Sequence, residues 1–237
     1  MLKKNAVIKI GGSLFFTENF KINTKRIDEF CRIFKDSKST GTHIIVCGGG
    51  IIAREYINAV RAFQGTEALC DIFGIELSRI NSQLLLSGFQ DFAYPQVPTS
   101  MKDLSIAILF NKIIAMGGLQ PGQSTTSVAL EVAEFIKAKE CVILTDVKGI
   151  YDKDPKKFED AKIFKHMTYN SLQKLIIESS GNKQATAGEY RIFDSVSLQI
   201  LKRSNIKVIV MSGRELNEFK KYWNGKEDIN GTIVSKE

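Results

Sequence analysis

Histidine is almost absent from this chain of 237 residues: His43 and His166 are the whole complement, far apart in sequence. A histidine-built metal centre therefore has little support, and both residues read as structural or surface groups. The four cysteines, Cys31, Cys47, Cys70 and Cys141, show no paired spacing, and Cys47 and Cys141 fall inside apolar runs. They read as small reduced core residues of a cytosolic protein and not as a disulfide framework. Together these scarcities leave no histidine or cysteine nucleophile constellation. No apolar run approaches the ~20 residues of a membrane span, and strand-like sequence begins too early for a signal peptide. Neither an internal repeat nor a disordered linker interrupts the chain. Aromatic residues do not interleave with a basic cluster, so a nucleic-acid partner would rest on net charge alone.

What is present suits one large core or two small lobes: 43% of residues are hydrophobic. The formal charge of +7 favours anionic partners. Pairs such as Lys3 and Lys4, Lys156 and Lys157, and Lys220 and Lys221 are separated by acids, as on solvated faces.

Three apolar, strand-like runs end in glycine. NAVIKI leads to Gly11, Gly12 and Ser13; THIIVC leads to Gly48, Gly49 and Gly50; IIAM leads to Gly117, Gly118 and the segment LQPGQSTT. A helix-like run, SVALEVAEFIKA, follows the last of these, with hydroxyls in its first turn and Pro121 and Gly122 just ahead. Such a start leaves backbone N–H groups without intrahelical partners, and the helix dipole adds to their pull on anions. An ordinary strand-turn-helix connection with a Ser/Thr cap explains any one of these alone. Three together suggest a long phosphate-bearing ligand laid across one edge of a parallel sheet.

Periodicity predicts strands over 5–10, 42–47, 112–116, 140–144 and 163–166, then KVIVM and a closing GTIVS. Helices are expected over 24–37, 51–63, 68–88, 168–177, SVSLQILKRS and 215–223, with an irregular element around 104–110. In 68–88 the residues Leu69, Ile72, Phe73, Ile80 and Leu84 track one side; Glu76 interrupts them, and Asp71, Arg79 and Asn81 lie near. Long helices with polar interruptions often line a cleft. The segment 90–98 is loop-like, 179–189 is glycine-rich and expected to be mobile, and Asp194 is placed to cap a helix. The sustained alternation of strand and helix predicts an α/β fold with a mainly parallel sheet, divided softly near residue 140.

The ordered segments VIKIGGS, VCGGGIIAREY, DIFGIELSRINSQLL, GGLQPGQSTT, ILTDVKGIYDKDP and AGEYRIFD resemble the amino-acid kinase family, most closely its archaeal uridylate (UMP) kinase branch. The resemblance runs from residue 5 to 234. It implies a three-layer α/β/α sandwich, with a UMP-binding half over about 1–139 and an ATP-binding half over about 140–237. It further implies a cytoplasmic homohexamer, a trimer of dimers, transferring the γ-phosphoryl of Mg-ATP to UMP. Residue by residue, Gly49, Asp71, Leu119, Gln120, Pro121, Gly122, Gln123, Ser124 and Thr125 match positions around UMP. A carboxylate such as Asp71 suits two vicinal ribose hydroxyls, each donating to one oxygen. Gly12, Ser13, Gly50 and Arg54 match donor-phosphate contacts, and Thr145, Asp146, Tyr151 and Asp154 match the adenosine pocket.

Lys9 is placed by the resemblance where donor and acceptor meet, as the catalytic ammonium; a solvated strand-end lysine is the plain alternative. Asp194 matches an aspartate near the phosphates that orients Lys9 or Mg²⁺, and a helix cap explains it nearly as well. A phosphate acceptor is largely dianionic at neutral pH, so no general base is required. What the chemistry requires is relief of charge repulsion and in-line alignment.

Departures from the family pattern are Lys148 in place of an acid, Asp146 in place of an asparagine, and Leu119 in place of a polar or aromatic residue. Sister kinases acting on acetylglutamate, aspartate, carbamate or isopentenyl phosphate are the nearest rivals. The last carry a histidine shortly after the triple glycine, where this chain has Ile51, Ile52, Ala53 and Arg54. A non-catalytic nucleotide or oxyanion binder is a rival of another class, against which stand Lys9 and the donor-pocket motif.

Overall fold

The computed structural model describes residues 5–37, 41–180, 192–226 and 228–237. Strand β1 (Ala6–Ile10) enters the middle of the molecule and leads into one turn of 3-10 helix (Gly12–Phe15). Helix α1 (Thr24–Lys35) follows, opened by Asn23, whose side chain accepts the Arg26 N–H at 3.1 Å. Then come β2 (His43–Cys47), α2 (Gly50–Ala62), α3 (Glu67–Phe89), α4 (Met101–Ala107) and β3 (Ile114–Met116). The second half contributes α5 (Thr125–Phe135), β4 (Glu140–Thr145), β5 (His166–Thr168), α6 (Tyr169–Ser180), α7 (Ser195–Ser204), β6 (Lys207–Ser212), α8 (Leu216–Trp223) and β7 (Gly231–Ser235).

These strands form a single seven-stranded sheet in the order β3-β2-β1-β4-β6-β7-β5. β3, β2, β1, β4 and β6 are mutually parallel; β7 runs antiparallel to β6, and β5 pairs parallel to β7. The five parallel strands read as largely apolar runs because helices cover both faces. On one face Val7, Val46 and Ile143 pack with α5 and α7 residues such as Val128 and Leu201. On the other, Ile8, Ile45 and Val142 pack with Phe30, Leu85 and Phe219 of α1, α3 and α8. Phe30 and Phe219 stack at 5.9 Å, and Phe34 lies 4.7 Å from Trp223. The three-layer α/β/α expectation is therefore met, with one sheet running through both halves of the chain.

Several elements differ from their sequence reading. The strand expected over 163–166 is displaced to His166–Thr168, and Ile163 makes only an isolated bridge to Tyr151. A short strand at the sheet edge has one partner, β7, to set its register, which pattern alone does not reveal. The third strand is shorter than expected, because Ile113 instead bridges Ala93. The irregular element around 104–110 begins earlier, as a helix whose first turn is capped by Ser100. Most of 179–189 lies outside the described residues. His43 is buried with its ring 5.0 Å from that of Trp223, and His166 is exposed, as a structural and a surface histidine would be. All four cysteines are free and buried, and burial pushes the Cys31, Cys47 and Cys141 thiols up to about 12.

Candidate active site

Because β1, β2, β3 and β4 run parallel, their C-terminal ends deliver Gly11, Gly48, Gly117 and Asp146 to one edge of the sheet. The chain packs there too closely for side chains. A Cβ on Gly12 would lie 2.2 Å from the Gly48 carbonyl oxygen, and Gly50 turns at φ +73°, a left-handed conformation that favours glycine. Between these loops lies a hollow of 220 Å³. Its walls include Lys9, the two glycine loops after β1 and β2, Arg54 of α2, Asp71 and Ile75 of α3, Gln123 to Thr126, and Thr145. Lys9 and the segment after Pro121, more than a hundred residues apart, thus border one cavity.

Lys9 reaches it because alternation along β1 turns its side chain to the α5 face, opposite Ile8 and Ile10. Its ammonium makes no hydrogen bond or ion pair among the described residues. Burial holds its pKa down to about 8, against a partial pull upward from the Asp146 carboxylate. Asp146 itself is ion-paired with Lys156. At the far wall, Ser124 caps α5 by accepting the Ser127 N–H at 3.1 Å, leaving the N–H groups of Thr125 and Thr126 at a helix start with no carbonyl one turn back. Gln123 donates from Nε2 to Glu131 at 2.6 Å, while its Oε1 is buried without a partner among the described residues.

Helix α3 lines the cleft through Asp71, as its polar interruptions suggested, and carries in Ser78 a residue that sequence reasoning passed over. The stripe of Leu69, Ile72 and Ile80 is exposed, and the buried side instead holds Cys70, Ile75, Ser78, Asn81, Ser82, Leu85 and Phe89. Ser78 and Asn81 fix the glycine loops. Ser78 Oγ donates to the Ile75 carbonyl at 2.6 Å and accepts the Gly118 N–H at 2.7 Å; Asn81 Nδ2 donates to the Gly48 carbonyl at 2.8 Å and the Gly49 carbonyl at 3.2 Å. Arg79 Nε donates to the Gly118 carbonyl at 3.1 Å. A run of small polar residues on one side of an otherwise apolar helix was the available signal.

Of the residues read from sequence, Lys9, Gly12, Ser13, Gly49, Gly50, Arg54, Asp71, Gln123, Ser124, Thr125 and Thr145 line the hollow. Leu119, Gln120, Pro121 and Gly122 do not line it; the Gly122 N–H donates to Asp71 Oδ2 at 2.8 Å, tying that loop to α3. Tyr151 and Asp154 lie in a neighbouring hollow of 450 Å³ beside α6. Asp194 caps α7 by accepting the Ser197 N–H at 2.7 Å, and also accepts the Ser127 hydroxyl at 2.9 Å, joining α7 to α5. Its capping role is thus visible, and it does not line the Lys9 hollow.

A charged hollow built from glycine loops and a helix start over parallel strand tips is the construction of a phosphate-transferring α/β protein. The chain belongs to the amino acid kinase family, whose model matches residues 4–212. Among curated relatives, it is 39% identical to the uridylate kinase of Methanobrevibacter smithii over 230 residues, covering 97% of this chain and 99% of that one. With the uridylate kinase of Sulfolobus acidocaldarius it shares 37% identity, covering 96% and 97%. The crystal structure of uridylate kinase from Archaeoglobus fulgidus superimposes with a TM-score of 0.80 at 30% identity, covering 97% of this chain and 99% of that one.

Proposed function

We propose that this chain is a uridylate kinase, transferring the γ-phosphoryl of ATP to UMP to give UDP and ADP. The observation that carries the reading is the shared hollow: one lysine and one helix start, from opposite ends of the first half, both line it. Support from likeness comes from relatives of that name matched along nearly their whole length.

In this reading the acceptor phosphate rests on the N–H groups that open α5, with its nucleoside toward Asp71 and the 119–125 loop. The donor phosphates rest on Gly12, Ser13, Gly50 and Arg54, with adenosine toward Thr145, Asp146, Tyr151 and Asp154. The first half of the chain serves the acceptor and the second the donor nucleoside. Lys9 is the catalytic group: its ammonium offsets charge on the phosphoryl oxygens as they pass from donor to acceptor. The acceptor dianion attacks directly, so no side chain has to take up a proton. Asp194 acts through the start of α5, as a positioning residue.

Among the described residues no cluster of three His, Cys, Asp or Glu could cage a metal. In this reading magnesium arrives on the triphosphate and offsets its negative charge. The exposed apolar side of α3, with Tyr56 and Phe63 of α2 beside it, suits burial between subunits of a homo-oligomer such as the expected hexamer. No described helix is long and apolar enough to cross a membrane.

An acceptor panel tests the reading. Purified protein with Mg-ATP is expected to phosphorylate UMP far faster than CMP, AMP or acetylglutamate, with ADP release as the readout. Equal rates across the panel would reject it.

A further inference from the structure

Beside the Lys9 hollow lies a second hollow, of 500 Å³, lined by the 3-10 turn, α1, α2 and the segment after β6. Four cations line it: Arg26 of α1, Arg54 of α2, Lys156 and Arg214, with Asp146 and Glu18 as the acids. Lys156 is neutralised by its ion pair with Asp146. The side chains of Arg26, Arg54 and Arg214 make no hydrogen bond or ion pair among the described residues, and Glu18 alone opposes them. Three guanidiniums bordering one cavity repel each other unless an anion lies between, and their planar forks match phosphate oxygens in pairs. Neither Arg26 nor Arg214 lines the Lys9 hollow, whereas Ser13 and Arg54 line both.

We infer that this second hollow is an oxyanion subsite for a polyphosphate, held by Arg26, Arg54 and Arg214 outside the path between the two reacting phosphates. Because Ser13 and Arg54 form a common wall, a polyphosphate seated there opposes binding of the phosphoryl donor. That last consequence rests on the kinase reading; the binding itself does not.

The probe is inorganic tripolyphosphate, titrated calorimetrically into the full chain and into R26Q/R214Q. The double variant is expected to bind at least tenfold more weakly, while its KM for ATP and kcat with UMP stay within twofold of the parent. Inhibition by tripolyphosphate, competitive with ATP in the parent, weakens by the same factor. An unchanged dissociation constant overturns the proposal, as does a parallel rise in the KM for ATP, which would fold the hollow into the donor path. If the double variant does not fold, R214Q serves instead, since that side chain is exposed; an unchanged constant there overturns the proposal equally. Should UMP not be phosphorylated at all, the calorimetric contrast still decides the subsite. CTP in a parallel titration identifies the source: tighter binding than tripolyphosphate, weakened by R26Q/R214Q, means a nucleotide, and equal or weaker binding means bare polyphosphate.

Discussion

Replacing Lys9 by methionine should leave an enzyme that is almost inactive and a fold that is more stable. Burial holds the Lys9 pKa at about 8 against an ordinary 10.5. At ~1.36 kcal/mol per unit, that displacement sets an upper bound of about 3 kcal/mol on what the charged form costs the native state at neutral pH. Lys9 is only partly buried and borders the hollow, so screening trims the gain to about 1–2 kcal/mol. Methionine keeps most of the aliphatic stem and its packing. For a chain of this size the expected rise in Tm at pH 7 is roughly 2–8 °C. The sign with pH follows from proton binding. Between pH 8 and 10.5 the unfolded lysine holds a proton that the folded one has lost, so parent stability climbs with pH over that window. The gap between K9M and the parent is therefore full below pH 8 and closes by about pH 10.5. Scanning calorimetry of both proteins from pH 7 to 10.5, with single-turnover rates at pH 7.5, measures the two effects. A variant no more stable than the parent at pH 7, or a gap that ignores pH, would refute the reasoning about burial. A loss in kcat of less than about 10²-fold would remove the ammonium from the transition state.

The pH profile offers a second check: kcat/KM should fall above about pH 8, as free-enzyme Lys9 deprotonates, and below about pH 6, as the acceptor phosphate gains its second proton. A flat profile from pH 7 to 9.5 would contradict the first limb. Ser78→Ala strips the Gly118 N–H of its acceptor, an expected loss of about 1–3 kcal/mol in denaturant unfolding, with KM for UMP rising more than kcat falls. Unaltered KM would leave Ser78 a purely structural residue. Gly12→Ala forces a methyl group within 2.2 Å of the Gly48 carbonyl oxygen, so kcat/KM should drop at least about 10³-fold or the protein should fail to accumulate in soluble form; near-parental activity would mean the loops part easily.

Three of the strand tips were legible in the sequence because parallel strands buried on both faces leave mostly apolar runs, and those of β1, β2 and β3 stopped at glycine. Lys9 was legible through the family resemblance; its position in NAVIKI suited a solvated strand-end lysine equally well. That α3 lines a cleft was legible from its polar interruptions; which of its sides faces inward was not. Its Leu69, Ile72 and Ile80 look like a core stripe, whereas the residues that face inward include serines and an asparagine satisfied by loop backbone from elsewhere in the chain. Periodicity reports where apolar residues recur; it is silent on hydrogen bonds across more than thirty positions. Arg26 and Arg214 escaped for a related reason. One lies in the first turn of a helix and the other just beyond a strand, and only the layer order of the sheet makes them neighbours of Arg54. The position of β5 depended on pairing with β7, the last strand in the chain, which no local pattern encodes.

Ser78 and Asn81 are separated by a single helical turn, yet one grips the loop beyond β3 and the other the loop beyond β2. The helix acts as a crossbar: both loops are tied to one turn, so a tilt or slide of that turn strains both sets of hydrogen bonds. Its outer side carries exposed leucine and isoleucine, so anything pressed against that side bears mechanically on both loops at once, without entering the cavity they enclose.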